Sequence, residues 1–193
     1  MRLSLLLLLI GMLGLSCLSS GIFKQQDQAL AQQYIPTIKY RNLVIGLGDG
    51  VKTNAQLTYP AVGKGPFPGV LLVHGAGPAD MNYSGGYIRI DNKTGSKVYP
   101  PTPFFQIAQY LSERGFAVLR YDKRGVGANL TIVDTNVWKN MTYNDLVQDA
   151  KKALNVLVQQ PEVNPNKISL IGHSKEVKLL QDLPLIIQQK LEI

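Results

Sequence analysis

Cysteine and histidine are both scarce in this chain. Cys17 is its only cysteine, and His74 and His173 are its only histidines among 193 residues. No disulfide can therefore close within it, and no cluster of His, Cys and carboxylate residues has the spacing of a metal site. Charge is sparse as well, at 17% of residues, and the formal excess of +7 is scattered singly or in pairs such as Lys123-Arg124 and Lys151-Lys152. Without a basic stripe, a recognition helix or a base-stacking platform, that excess marks a solvated surface, and nucleic acid is not an expected partner. No internal repeat is present. Gly46-Leu47-Gly48-Asp49-Gly50 precedes a strand instead of opening a helix, so no nucleotide and no other cofactor is expected. What is there is a globular composition, 45% apolar, enough for the core of one domain.

The amino terminus has its own character. Arg2 is followed by an uncharged, leucine-rich run from Leu3 to Phe23, and Lys24 is the next charge. A basic start, an apolar core and the small polar run Ser16–Ser20 describe a secretory signal peptide. The run also approaches the ~20 residues that cross a bilayer, which describes an uncleaved anchor. Residues 1–23 are assigned to one or the other, and both place the domain outside the cytoplasm, secreted or held at a membrane. Cys17, after Leu13-Gly14-Leu15-Ser16, loosely resembles a bacterial lipobox with glycine where an aliphatic residue is usual. Its plainer reading is a hydrophobic position in that segment. Asn-x-Ser/Thr tripeptides at Asn82, Asn92, Asn129 and Asn140 suit an exported protein.

Gln25–Gln33 is polar and lacks a clear apolar face, and residues 24–37 read as a linker. The chain then alternates. Two strand-like runs flank Gly48-Asp49-Gly50, a tight-turn signal for a hairpin. Pro68–Gly75, Phe116–Asp122 and Lys167–Ile171 are short apolar runs of the kind found in strands covered on both faces. Between them lie two amphipathic helices. The first opens with Thr102 as cap and Pro103, carries Phe104, Ile107, Ala108 and Leu111 on one face, and stops at Gly115. The second opens with a capping box at Thr142 and Asp145 and carries Leu146, Ala150, Ala153, Leu154 and Leu157. Alternating strands and helices predict an α/β fold, a mostly parallel sheet clothed in helices with the antiparallel hairpin at its edge.

Reactive groups of such sheets gather at the carboxyl ends of the strands. Three ends here carry pointed sequence: His74-Gly75-Ala76-Gly77-Pro78, Asp122-Lys123-Arg124-Gly125-Val126-Gly127, and Gly172-His173-Ser174. In this order, on these strands, the chain from about Val44 to Ser174 resembles the α/β-hydrolase family, particularly its esterase and serine-peptidase-like members with an HGxGP loop and a YDKRGxG turn. The resemblance implies the N-terminal half of an α/β-hydrolase domain over residues 38–174. It also implies a serine hydrolase of ester, thioester or amide bonds, acting on a small-molecule or peptide acyl substrate. Ser174 would be the nucleophile, and the backbone N–H groups of Ala76 and Lys175 the oxyanion hole. His74, Gly75 and Gly77 would form the supporting loop. Asp122 and Arg124 read as structural pins for neighbouring loops. The polar stretch from Ala79 to Pro101 reads either as an overhang of the substrate pocket, with Tyr83 and Tyr87 in its wall, or as a solvent-exposed insertion. Trp138 is assigned to the core.

The family's pattern then breaks. Glu176 stands where the nucleophile turn takes a second glycine, and a carboxylate there crowds the helix against the strand. An activated serine needs a base oriented by an acid; His74 belongs to the oxyanion loop and His173 adjoins the nucleophile, so neither stands in the base's place. Residues 175–193 contain no further histidine and read as an aberrant tail. The expectation is a hydrolase truncated after its nucleophile turn, weakly active or inactive. A non-catalytic binding module derived from a hydrolase is the alternative. The strand Ile168–Ile171 is expected as an exposed sheet edge open to self-association.

Overall fold

The computed structural model describes residues 37–75, 77–85, 89–98 and 101–173. The expectations placed on residues 1–36 and 174–193 lie outside them. β1 (Ile38–Gly48) and β2 (Val51–Pro60) form the expected antiparallel hairpin, from Ile38 opposite Pro60 to Gly48 opposite Val51. Gly48, Asp49 and Gly50 turn it with φ of 89°, 49° and 76°. In that left-handed region glycine carries no Cβ penalty, and aspartate tolerates it better than most residues.

The remaining elements follow in alternation: β3 (Phe67–Val73), a small antiparallel pair of β4 (Arg89–Ile90) and β5 (Lys97–Val98), α1 (Pro103–Ser112), β6 (Ala117–Tyr121), α2 (Thr135–Lys139), α3 (Tyr143–Val158) and β7 (Val163–Gly172). The main sheet has the order β1-β2-β6-β3-β7. β6, β3 and β7 are parallel, β2 is antiparallel to both its neighbours, and every strand but β2 therefore runs the same way. From β3 the chain crosses to β6 on one side, then back over β3 to β7 on the other. Crossovers of one hand running in opposite directions put their helices on opposite faces. The packing agrees: α1 lays Phe104 and Ala108 on Val70, Leu72 and Val118, while α3 lays Ala150, Ala153, Leu154 and Leu157 among Leu71, Val73, Leu119 and Tyr121.

Helix starts were legible to different degrees. The box at α3 is formed, with the Asp145 N–H donating to Thr142 Oγ1 at 3.2 Å and Asp145 Oδ2 accepting the Thr142 N–H at 2.9 Å. At α1, Thr102 holds the cap position and Pro103 follows, but the Thr102 side chain makes no capping bond. Two expectations are corrected. β7 starts at Val163, ahead of Lys167, because Phe67 and Pro68 of β3 pair with Val163 and Asn164 before a register shift at Gly69. A Cβ at Gly69 would stand 2.7 Å from Ile168 Cδ1 and 2.9 Å from Val163 Cγ1, so glycine lets these strands close up. Trp138 does not join the core: it is half-buried on α2, a helix with no buried residue, whose cap is Asp134 accepting the Val137 N–H at 2.9 Å. Among the described residues no helix is long and apolar enough to cross a membrane, and none pairs with the outer side of β7.

Candidate functional site

The parallel register of β3 and β7 brings two of the three pointed sequences together. Val73 stands opposite Gly172, and the His173 N–H donates to the Val73 carbonyl at 3.1 Å. The loop that begins at His74 and the turn that begins at Gly172 therefore leave the sheet as neighbours. Of the residues assigned to the site, Ala76, Ser174 and Lys175 lie outside the described residues, as do Tyr87 and Glu176. His74, Gly75, Gly77 and Tyr83 are described.

His74 is 2% exposed, and its Nε2–H donates to the Tyr121 carbonyl. Its ring meets Tyr121 edge-on at 4.7 Å and stacks on Phe104 at 6.1 Å. Burial pushes its pKa down from 6.5 to about 4; the bond to Tyr121 opposes the shift, and the nearby Lys123 charge adds to it. Its ring is thus held neutral, with its donor committed to β6, and ties the start of the loop to that strand. His173 is exposed, its ring lying 4.9 Å from that of Tyr83.

The turn after β6 ties three elements in three successive residues. Asp122 accepts the Met81 N–H at 2.6 Å on Oδ1, and its backbone bonds Thr53 and Asn54 of β2 at 2.6 and 2.8 Å. Burial pushes the Asp122 carboxyl up, with the Met81 bond opposing. Arg124 grips Asp149 of α3 with two bonds of 2.6 Å and reaches Asp145 at 3.4 Å. The two partners shift upward for different reasons: pairing raises Arg124, while desolvation raises Asp149 despite the pairing. The carboxylate bears the desolvation because it is deeper, 3% exposed against 11% for the arginine side chain. Gly125, at φ 72°, leaves space for α2; a Cβ there would stand 2.8 Å from the Asp134 carbonyl. Asp122 and Arg124 are thus the structural pins expected of them.

Lys123, between them, was missed. Although only 2% exposed, it donates from Nζ to the carbonyls of Gly75 at 2.6 Å and Gly77 at 3.1 Å. Its own N–H bonds the Ala79 carbonyl at 3.0 Å. The available signal was position: a lysine two residues past the end of a short strand, flanked by two charges that already have structural work.

The loop after Pro78 is folded around a second acid. Asp80, 2% exposed, accepts the N–H groups of Asn82 and Ser84 on Oδ1, at 3.1 and 2.9 Å, and that of Asn129 on Oδ2 at 2.9 Å. Arg120, fully buried in β6, donates to the side chains of Asn82 and Gln56 and lies over the Phe105 ring at 5.2 Å. Tyr83, at φ 53°, stacks on Phe104 at 5.1 Å and so stands beside the end of β7. A cleft of about 450 Å³ opens elsewhere, between the hairpin and this loop, lined by Asn42, Asn54, Gln56, Asp80, Asn82 and Asn129 among others. It touches neither His74 nor His173, but Asp80 and Asp122, which tie the loop after β3 to its neighbours, are in its wall.

No family model matches the chain. Over 128 residues, 66% of this chain, it is 32% identical to esterase EstD of Thermotoga maritima, of which that stretch makes up 26%. The chain thus spans about a quarter of the length of the curated relative it matches. Among solved structures it is similar to esterase Est22, with a TM-score of 0.52 at 13% identity over 75% of this chain and 37% of that one. It is also similar to brefeldin A esterase, a bacterial homologue of human hormone-sensitive lipase, with a TM-score of 0.50 at 17% identity over 77% and 35%. At such identities the likeness to the solved structures is one of fold.

Proposed function

The chain has the α/β-hydrolase fold, and from that premise we propose that it carries the nucleophile side of a serine hydrolase of carboxylic esters. In this reading Ser174 attacks the acyl carbon, and the N–H groups of Ala76 and Lys175 receive the charge that develops on the carbonyl oxygen. The observation that carries the reading is the pairing of Val73 with Gly172, which starts both loops at one edge of the sheet. The 32% identity to an esterase supports the bond type.

The base is the weak side. His74 is buried and bonded to Tyr121, and His173 directly precedes the serine. Enzymes of this kind stripped of triad partners keep a residual acceleration of roughly 10³–10⁴ over water from oxyanion stabilisation and binding. Activated esters should accordingly be cleaved slowly, far below the rate of a complete triad. A fluorophosphonate probe and p-nitrophenyl acetate test this together: covalent labelling mapped to Ser174, with slow turnover abolished in Ser174→Ala, is the expected result. No labelling at any probe concentration overturns it. The buried, committed His74 is also what favours the second reading, a non-catalytic binding module, which would retain ligand or partner binding without labelling.

The same proposal places the domain outside the cytoplasm, delivered by residues 1–23 as signal peptide or membrane anchor. It also gives β7 a role in self-association through its outer edge. Fractionation of the expressing cells and size-exclusion chromatography of the purified chain test these two points.

A further inference from the structure

We propose that the cleft between the β1–β2 hairpin and the loop after β3 binds a neutral, hydroxyl-rich ligand, a saccharide, through side-chain amides whose orientation a buried arginine dictates. Nothing in this site depends on the role of Ser174. Arg120, fully buried in β6, donates to the side-chain oxygens of Asn82 and Gln56. A guanidinium has donors and no acceptor, so both amides must turn their oxygens toward it. Gln56 is left with its NH2 facing β1, where it donates to Asn42 Oδ1 at 2.9 Å. Asn42 and Asn82, each with its oxygen engaged, line the cleft with NH2 groups that no described residue takes. Asn54, also in the wall, stabilises the Asp122 carboxylate through a side-chain hydrogen bond. Only its NH2 can donate that bond, so its oxygen remains as an acceptor. Donors and an acceptor therefore face one hollow.

A second buried charge sets the lips of the cleft. Asp80 spends Oδ1 on the N–H groups of Asn82 and Ser84 and Oδ2 on that of Asn129. On each lip a residue other than glycine is held in the left-handed region, Tyr83 at φ 53° and Asn129 at φ 56°, and such conformations persist only where the surroundings enforce them. The wall then selects the ligand. Asp80 and Asp122 stand in it while, among the described residues, no lysine or arginine does, so an anion is disfavoured. Both carboxylates already accept protein N–H groups, Asp122 that of Met81 at 2.6 Å, which leaves little for an ammonium. No described residue of the wall is aromatic, so a flat ring has nothing to stack on. A hydroxyl both donates and accepts, and answers the NH2 groups and the oxygen alike. Half-buried Leu43 and Met81 and the exposed Val44 give apolar contact for the C–H faces of a sugar ring. At about 450 Å³ the cleft has the size of a small-ligand site.

The test is a titration of the isotope-labelled full chain with maltose, cellobiose and lactose, each to about 50 mM, followed by NMR at the side-chain NH2 signals. Saturable shifts at Asn42 and Asn82 with at least one disaccharide are expected, and none with any of the three overturns the proposal. Spermidine, inorganic phosphate and N-acetyl-trialanine amide are titrated alongside. If one of them binds at these signals more tightly than every disaccharide, the cleft belongs to a polyamine, an anion or a peptide and the proposal fails. Asn129→Gly keeps the left-handed backbone and the N–H to Asp80 while deleting the amide side chain, and Asn42→Ala does the same at an exposed position of the edge strand. Each should weaken disaccharide binding about fivefold or more. Asn92→Ala, exposed in the β4–β5 turn, should leave it within about twofold. Wild-type affinity in both cleft variants overturns the proposal, as does an equal loss in Asn92→Ala. Should a variant fail to fold, the wild-type spectra still decide: shifts confined to Asn92 and Asn140, outside the cleft, overturn the site.

Discussion

β6 and β7 flank β3 in the sheet, run the same way and deliver their turns to the same edge, yet they are built differently. All five residues of β6 are buried, and the turn after it binds β2, the loop after β3, and α3. Of the ten residues of β7 only Val163 and Ile168 are buried, and the strand leads into an exposed His173. The central strand carries the supports, and the flanking strand leads toward Ser174, the proposed nucleophile. A strand that must hold its neighbours needs partners on every side; one that presents a side chain to a substrate needs an open side.

The sharpest way to break this comparison is to remove packing from each strand. Leu119→Ala in β6, fully buried between β2 and β3, should cost about 4 kcal/mol in urea unfolding. Arg124→Met comes next: stranding Asp149 at 3% exposure should cost about 3 kcal/mol, measured the same way. The third effect depends on pH. His74 has a folded pKa of about 4 against 6.5 when free, so the unfolded chain binds the extra proton. Stability from this residue is complete above about pH 6.5 and drains away as pH falls toward 4, a loss of about 3 kcal/mol. His74→Phe should flatten that limb of the stability curve, whatever it does to stability at neutral pH. Smallest should be Leu170→Ala in half-buried β7, at about 1 kcal/mol. If Leu170→Ala instead costs as much as Leu119→Ala, β7 is covered on its outer side and the contrast between the strands fails.

What the sequence disclosed follows the reach of each interaction. Apolar runs and caps are local, so the hairpin at Asp49, the helix faces and the box at Thr142 were readable in order. The start of β7 was not, because the pairing of Phe67 with Val163 is a contact between distant residues that Pro161 and Pro165 disguise as a loop. α2 was too short for periodicity to show, and Trp138 went with it. At the site, Asp122 and Arg124 were placed by analogy with a known turn. Lys123 escaped notice because a lysine is ordinarily solvated, and only the adjacency of β3 and β6 buries it. Asp80 and Arg120 escaped for the same reason: each is satisfied by groups whose nearness is a product of the finished sheet.

The grip of Arg124 on Asp149 has a temporal meaning. Those two residues lie 25 positions apart, with α2 and the first part of α3 between them, so a chain emerging from the ribosome presents the arginine well before its carboxylates. Until α3 has formed and docked, the segment bearing Lys123 lacks its anchor, and the glycine loop it holds stays unset. The pieces that would make this region chemically competent are therefore assembled late in synthesis, after the framework around β1, β2 and β3 is already available.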